Sequence, residues 1–297
     1  MRQFDRPARV FAGSRPDALP VPADRRVAAL TMPSVLERWS EDSAGLRPAA
    51  QSDAGNVITM FEAIGEDFWS GGGITAKSVA AQLRAIGDRP VEVQINSFGG
   101  DMFEGIAIYN VLREHPQDVT IKVMGMAASA ASIIVMAGDR IEIGAGSFIM
   151  IHNCWVMAMG NRHDMAETAT WLAPFDAAMA DVYAARTGQP VEAVARWMDA
   201  ETYMSGSIAL DRGFADGLLA ADQVTTDPAA KADDQAANKL RAMELTLCAS
   251  GLSRSQARAR INEIKGTPGA APEGTPGAAE SDWTAEAAQL LASLKAA

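Results

Sequence analysis

Cysteine, histidine and tyrosine are scarce in this 297-residue chain, which holds two, three and three of them. Cys154 and Cys248 lie far apart in regions of different composition, which excludes a disulfide framework or a cysteine-built zinc cluster and fits a reducing, cytoplasmic setting. Positive charge is also short: 26 Lys and Arg stand against 37 Asp and Glu, for a net charge of −11. Nucleic-acid binders concentrate basic residues on one face, so no nucleic-acid partner is expected. The longest apolar run, residues 133–137, stops at Gly138 and Asp139, too short to cross a bilayer. Near the start, Arg2, Asp5, Arg6 and Arg9 replace the apolar stretch of a secretory signal, so neither export nor a membrane partner is expected. No nucleotide-binding motif is visible, and no cofactor or metal is expected.

What is present is apolar content of 48%, enough for a sizeable core. Residues 1–56 are rich in Pro, Arg, Asp and Ala without a sustained period and read as a flexible arm, with one short helix near 34–39. Order is expected from residue 57. A strand at 57–63, a helix at 75–86 and a strand at 91–95 lead into the turn Asn96-Ser97-Phe98-Gly99-Gly100 and a helix at 103–113. The unit repeats as a strand at 119–124 and a small-residue helix at 127–137, which predicts parallel strands. Strands at 141–143 and 148–152 follow, and then mainly helix: 164–186, 191–198 and 207–212. Residues 222–297 form an Ala-rich tail with the hexapeptide Gly-Thr-Pro-Gly-Ala-Ala at 266–271 and again at 274–279, a linker composition flanked by helices at 255–265 and 285–296.

A serine nucleophile needs an exposed hydroxyl on a sharp turn, N–H groups for the oxyanion and a nearby imidazole. Gly125-Met126-Ala127-Ala128-Ser129-Ala130 surrounds Ser129 with tiny side chains at a helix start, which makes the Ala130 N–H an oxyanion donor candidate. The second glycine turn can aim another N–H at the same oxygen, and Gly99 is the choice of donor. Among the histidines, His115 beside Pro116 and His163 in a polar loop read as solvated. His152 ends the apolar strand Phe148-Ile149-Met150-Ile151 and is the general base by elimination. A carboxylate should fix its tautomer. Asp199 and Glu201 are the nearest candidates, and spacing does not choose between them.

In order, Ile95-Asn96-Ser97-Phe98-Gly99-Gly100, Gly125-Met126-Ala127-Ala128-Ser129, Met150-Ile151-His152, Tyr203-Met204-Ser205 and Gly213-Phe214-Ala215-Asp216 resemble the blocks of the Clp protease proteolytic subunit, over residues 57–221. The resemblance implies an α/β fold of stacked ββα repeats shared with crotonases, Ser129 as nucleophile, His152 as base, Gly99 and Ala130 as oxyanion donors, and Glu201 at the family's aspartate position. It also implies peptide substrates and a homo-oligomeric ring, with the 164–186 helix a candidate ring-to-ring contact. Phe98 and Cys154 stand where that family usually has prolines. The two extensions resemble those of phage head maturation proteases, which implies scaffold or capsid protein as partner inside a prohead. A crotonase-like acyl-CoA enzyme, a serine–lysine peptidase using Lys77 or Lys122, and a non-catalytic assembly protein are the rival readings.

Overall fold

The structure, a computed structural model, describes residues 27–29, 31–48, 55–220 and 224–266. Ordered chain starts well ahead of residue 57: strand β1 (Val27–Ala29) is followed by helix α1 (Pro33–Asp42) and strand β2 (Leu46–Pro48). The flexible arm expected over residues 1–56 is therefore corrected for 31–48. The physical reason is burial, because α1 turns Val35, Leu36 and Trp39 inward. Trp39, 1% exposed, donates its Nε1–H to the Asn96 side-chain oxygen at 3.1 Å and meets Phe98 edge-on at 5.3 Å. A guanidinium fastens the same helix, with Arg38 lying 4.3 Å from the Tyr203 ring centre and 5.0 Å from that of Phe148.

The strand–turn–helix units follow as β3 (Val57–Met60), α2 (Ala76–Ile86), β4 (Val91–Ser97), α3 (Met102–Arg113), β5 (Val119–Ala128) and α4 (Ala130–Val135). Thr75 caps α2 by accepting the Ser78 N–H, and Val79, Leu83 and Ile86 fill its buried face. Asp101 caps α3 by accepting the N–H groups of Phe103 and Glu104. Strands β6 (Arg140–Gly144) and β7 (Phe148–Ile151) come next. Strands β3, β4, β5 and β6 are parallel neighbours, as the repeat predicts. Val93, Ile95, Ile121 and Val123 are fully buried, the pattern of a parallel sheet covered on both faces. Ten-residue β5 changes partner along its length, pairing through residues 120–123 with β6 and through 126–128 with β7.

The remaining elements are β8 (Val156–Ala158), α5 (Arg162–Thr187), α6 (Val191–Asp199), β9 (Thr202–Ser205), α7 (Gly206–Asp211), β10 (Gly217–Leu219) and β11 (Val224–Thr226). Strand β10 extends the parallel sheet beyond β6. Strand β9 runs antiparallel to β7, β8 to β1 and β11 to β2. Because β11 pairs with β2, the first compact unit reaches Asp234, which corrects the expected boundary at 221. Asp234 itself accepts the Gly45 N–H at 2.9 Å. Helix α8 (Pro228–Ala249), not foreseen in the Ala-rich tail, and α9 (Arg254–Gly266) follow. In the second unit, 235–297, the buried Glu244 carboxylate takes Arg254 at 2.8 Å and Arg258 at 3.1 Å. The linker beyond 266 and the helix expected at 285–296 lie outside the described residues. His115 is corrected too: it is buried, with Nε2 2.8 Å from the Arg89 carbonyl oxygen.

Candidate active site

Ser129 stands alone between β5 and α4, with Ala127 and Ala128 still in the strand rather than in the helix expected from 127. Its φ of 56° and ψ of −125° form a strained elbow that costs about 1–3 kcal/mol and persists only where neighbours impose it. Those neighbours are identifiable. The Ser129 N–H donates to the Met150 carbonyl at 3.0 Å, and the Ser129 carbonyl accepts the Ser132 N–H at 2.9 Å and the Ser132 hydroxyl at 2.6 Å.

The turn after β4 packs against this elbow, and each of its residues has a distinct contact. Buried Asn96 accepts from Trp39 and from the Met126 N–H at 3.1 Å, and donates to the Ser43 carbonyl at 2.8 Å. Ser97 donates to the Glu62 carbonyl at 2.6 Å. Phe98 faces Trp39, so the residue standing where the family usually has proline anchors α1. At Gly99, with φ of 91°, an added Cβ would lie 2.5 Å from the Ala128 carbonyl oxygen and 2.8 Å from the Ser129 Cβ. Only glycine fits there. Its N–H, expected to face the oxyanion, donates instead to the Ser97 hydroxyl at 3.1 Å. The bridge from Ile64 uses the Gly99 carbonyl and the Asp101 N–H, which turns the N–H of Gly100 to the opposite side. Gly100 lines a pocket with Ser129, Ala130 and His152.

Parallel pairing of Ala128 with Met150 brings the ends of β5 and β7 together, and so Ser129 toward His152. His152 is 7% exposed, and burial lowers its pKa to about 4. The imidazole is neutral at pH 7, the form a general base requires. Its Nδ1 is buried without a hydrogen-bond partner among the described residues. The antiparallel register of β7 and β9 ends at Ile151 opposite Thr202, so one further step sets His152 opposite Glu201. Glu201 is exposed and holds a φ of 48°. Asp199 is engaged elsewhere, accepting the Asn153 side-chain amide at 2.8 Å. An acid the sequence reading missed, Asp176 on α5, accepts the Cys154 N–H at 2.6 Å; burial raises its pKa. Burial, reinforced by Asp176, also pushes the Cys154 thiol well up, so it is no thiolate near neutral pH.

The outer wall of the pocket is apolar and comes largely from α5, where Trp171 and Phe175 meet edge-on at 5.2 Å and Phe103 meets Phe175 at 5.4 Å. Tyr183 lies deeper on the same wall, its hydroxyl 2.7 Å from that of Ser132. No local signal marks either residue in the sequence, since they meet across 51 positions. The lysines of the serine–lysine reading lie elsewhere: Lys122 pairs with Glu92 at 2.8 Å, and Lys77 is an exposed residue of α2.

A sequence model of the family described as Clp protease matches residues 73–222. The chain is similar to the ATP-dependent Clp protease proteolytic subunit of Deinococcus radiodurans, 31% identical over 150 residues that cover 48% of this chain and 74% of that protein. The corresponding subunit of Pleurastrum terricola is 36% identical over 134 residues, or 44% of this chain and 67% of that protein. Subunit 3 of Rhodococcus jostii is 34% identical over 134 residues, covering 44% and 66%. Half of the chain falls within the family match, and that half contains the elbow, the glycine turn and the buried histidine: the chain belongs to the Clp protease family.

Proposed function

We propose that the chain is a serine endopeptidase in which Ser129 attacks the peptide carbonyl, His152 takes its proton and Glu201 completes the triad. The observation that carries this reading is the meeting, in one pocket, of a strained serine, a buried neutral histidine and the backbone of Gly100 and Ala130. The donors are Ala130 and Gly100; Gly99 serves by having no side chain. Attack forms a tetrahedral oxyanion between those N–H groups, and the imidazolium then protonates the leaving amine. Water, deprotonated by His152, releases the acyl group and restores Ser129. No cofactor enters these steps. Closure of Glu201 onto Nδ1 stabilises the imidazolium as it forms, and the engagement of Asp199 with Asn153 favours Glu201 for that role.

A fluorophosphonate probe tests the reading. Mass spectrometry is expected to find the adduct on Ser129, absent in Ser129→Ala and strongly slowed in His152→Ala. Label on another residue, or none, would overturn it and revive the crotonase-like alternative.

The finer setting belongs to the same reading: a homo-oligomeric ring acting on scaffold or capsid protein, and on itself, as a phage head maturation protease. Support comes from the elements outside the matched segment, α1, β2, β11 and α8 among them, and from β1. That strand pairs Ala29 with Val156, one of the residues that line the pocket. A strand added to a sheet edge is how an extended peptide binds, and self-cleavage in the segment after Ala29 follows. Co-expression with capsid and scaffold proteins is expected to yield their cleaved forms and a shortened chain, all absent with Ser129→Ala. Undiminished cleavage in that variant would sink the assignment.

A further inference from the structure

Ser132 and Tyr183 belong to no step described above, yet they form a chain of hydrogen bonds that ends on the nucleophile's own backbone. The Ser129 carbonyl can only accept, so the single hydroxyl hydrogen of Ser132 is committed to it at 2.6 Å. The 2.7 Å contact between the Ser132 and Tyr183 oxygens must then be donated by Tyr183. Both side chains are fully or almost fully buried, at 0% and 1% exposure, so water does not compete for these bonds. Burial raises the Tyr183 pKa, which keeps the phenol protonated and able to donate.

The carbonyl being held is one end of a rigid plane. A peptide unit is planar and trans, so fixing the direction of the Ser129 C=O fixes the opposite direction of the Ala130 N–H. We infer that Tyr183 and Ser132 are positioning residues that set the aim of the Ala130 N–H at the developing oxyanion. This rests on the peptidase reading of Ser129 and Ala130. Tyr183 shares α5 with Trp171 and Phe175 of the apolar pocket wall, so one helix carries both the brace and that wall. Among the described residues, the other hydrogen bond on that carbonyl is the one from the Ser132 N–H, at 2.9 Å.

The test uses the full chain with Ser132→Ala, Ser132→Thr, Tyr183→Phe and the double variant Ser132→Ala/Tyr183→Phe. Steady-state peptide hydrolysis, Ser129 labelling by fluorophosphonate and inhibition by a peptide boronate, whose adduct puts an oxygen where the oxyanion forms, are measured for each. Loss of a whole oxyanion donor costs about 10²–10³ in kcat, so loss of its brace is expected to cost about 10- to 30-fold in Ser132→Ala and less in Tyr183→Phe. KM should stay within about twofold, and boronate affinity should fall in step with kcat. The double variant should match Ser132→Ala alone, because Tyr183 acts through Ser132. Ser132→Thr should restore the rate.

Unchanged kcat in Ser132→Ala and in Tyr183→Phe, with wild-type protein labelled at Ser129, would overturn the inference and leave the peptidase reading standing. A raised KM at constant kcat would do the same, reducing Tyr183 to a pocket wall. Wild-type protein that takes no label at Ser129 would overturn both, since the inference rests on Ser129 as the nucleophile.

Discussion

Carried one step past its last pair, Ile151 with Thr202, the register of β7 and β9 sets His152 across from Glu201, and among the described residues the buried His152 Nδ1 has no hydrogen-bond partner. A buried imidazole with an orphaned nitrogen is costly, and in the proposed triad the Glu201 carboxylate is the group that satisfies it. Glu201→Gln is expected to lower kcat by about 10³- to 10⁴-fold with little change in KM, because an amide cannot stabilise the imidazolium. Asp199→Asn should change kcat by no more than about threefold, since its amide oxygen can still accept the Asn153 hydrogen bond. Hydrolysis of a short peptide by the two variants decides between the acids.

The lowered pKa of His152, about 4 with burial as the main cause, makes a prediction of definite sign. Protonation inactivates a general base, so kcat/KM for a peptide should hold from neutral pH down to about pH 5 and fall below that. An acid limb near the ordinary histidine value of about 6.5 would mean that a carboxylate already holds Nδ1 in the free enzyme. The same group affects folding. The unfolded chain takes up the proton first, so stability is intact above about pH 6.5 and declines as pH falls toward the folded value. Thermal melts across that window check it.

Trp39→Ala probes the part of the chain whose composition suggested a flexible arm. The substitution removes a buried indole and its bond to Asn96, and is expected to destabilise the fold by about 3–5 kcal/mol. Denaturant melts measure it. A change within about 0.5 kcal/mol, the size of an ordinary surface substitution, would mean that residues 31–48 are not part of the folded body.

How far the fold could be read from the sequence depended on how local its signals are. The strand–turn–helix units between residues 57 and 137 were legible because Val and Ile runs alternate with glycine turns and capped helices. Ser129 and His152 were each marked by a local pattern and by their order, and the two line one pocket. What stayed hidden depends on contacts between distant segments. Trp39 and Asn96 are 57 positions apart, and three buried residues in a short helix make too faint a period to stand out from polar surroundings. Strand β9 was missed because Thr202 to Ser205 resembles the frayed end of α6 until it pairs with β7. Gly99 was chosen as the donor, but its N–H turns to the Ser97 hydroxyl, a direction that no local pattern marks.

Removal of residues 1–30 tests the strand that lies beside the pocket. The shortened chain is expected to label at Ser129 and to hydrolyse dilute peptide about fivefold faster than a full-length form that has not cut itself, through a lower KM. Equal rates would show that β1 does not occlude the edge of β8.

Pairing of β1 with β8 is also a first-order event, since both strands belong to one chain. Dilution does not loosen it. A tethered occupant acts at an effective concentration on the order of millimolar for short flexible linkers, and a free peptide must approach that level to displace it. The β1–β8 pairing would thus set a peptide concentration below which hydrolysis stays slow, whatever the concentration of the protein itself.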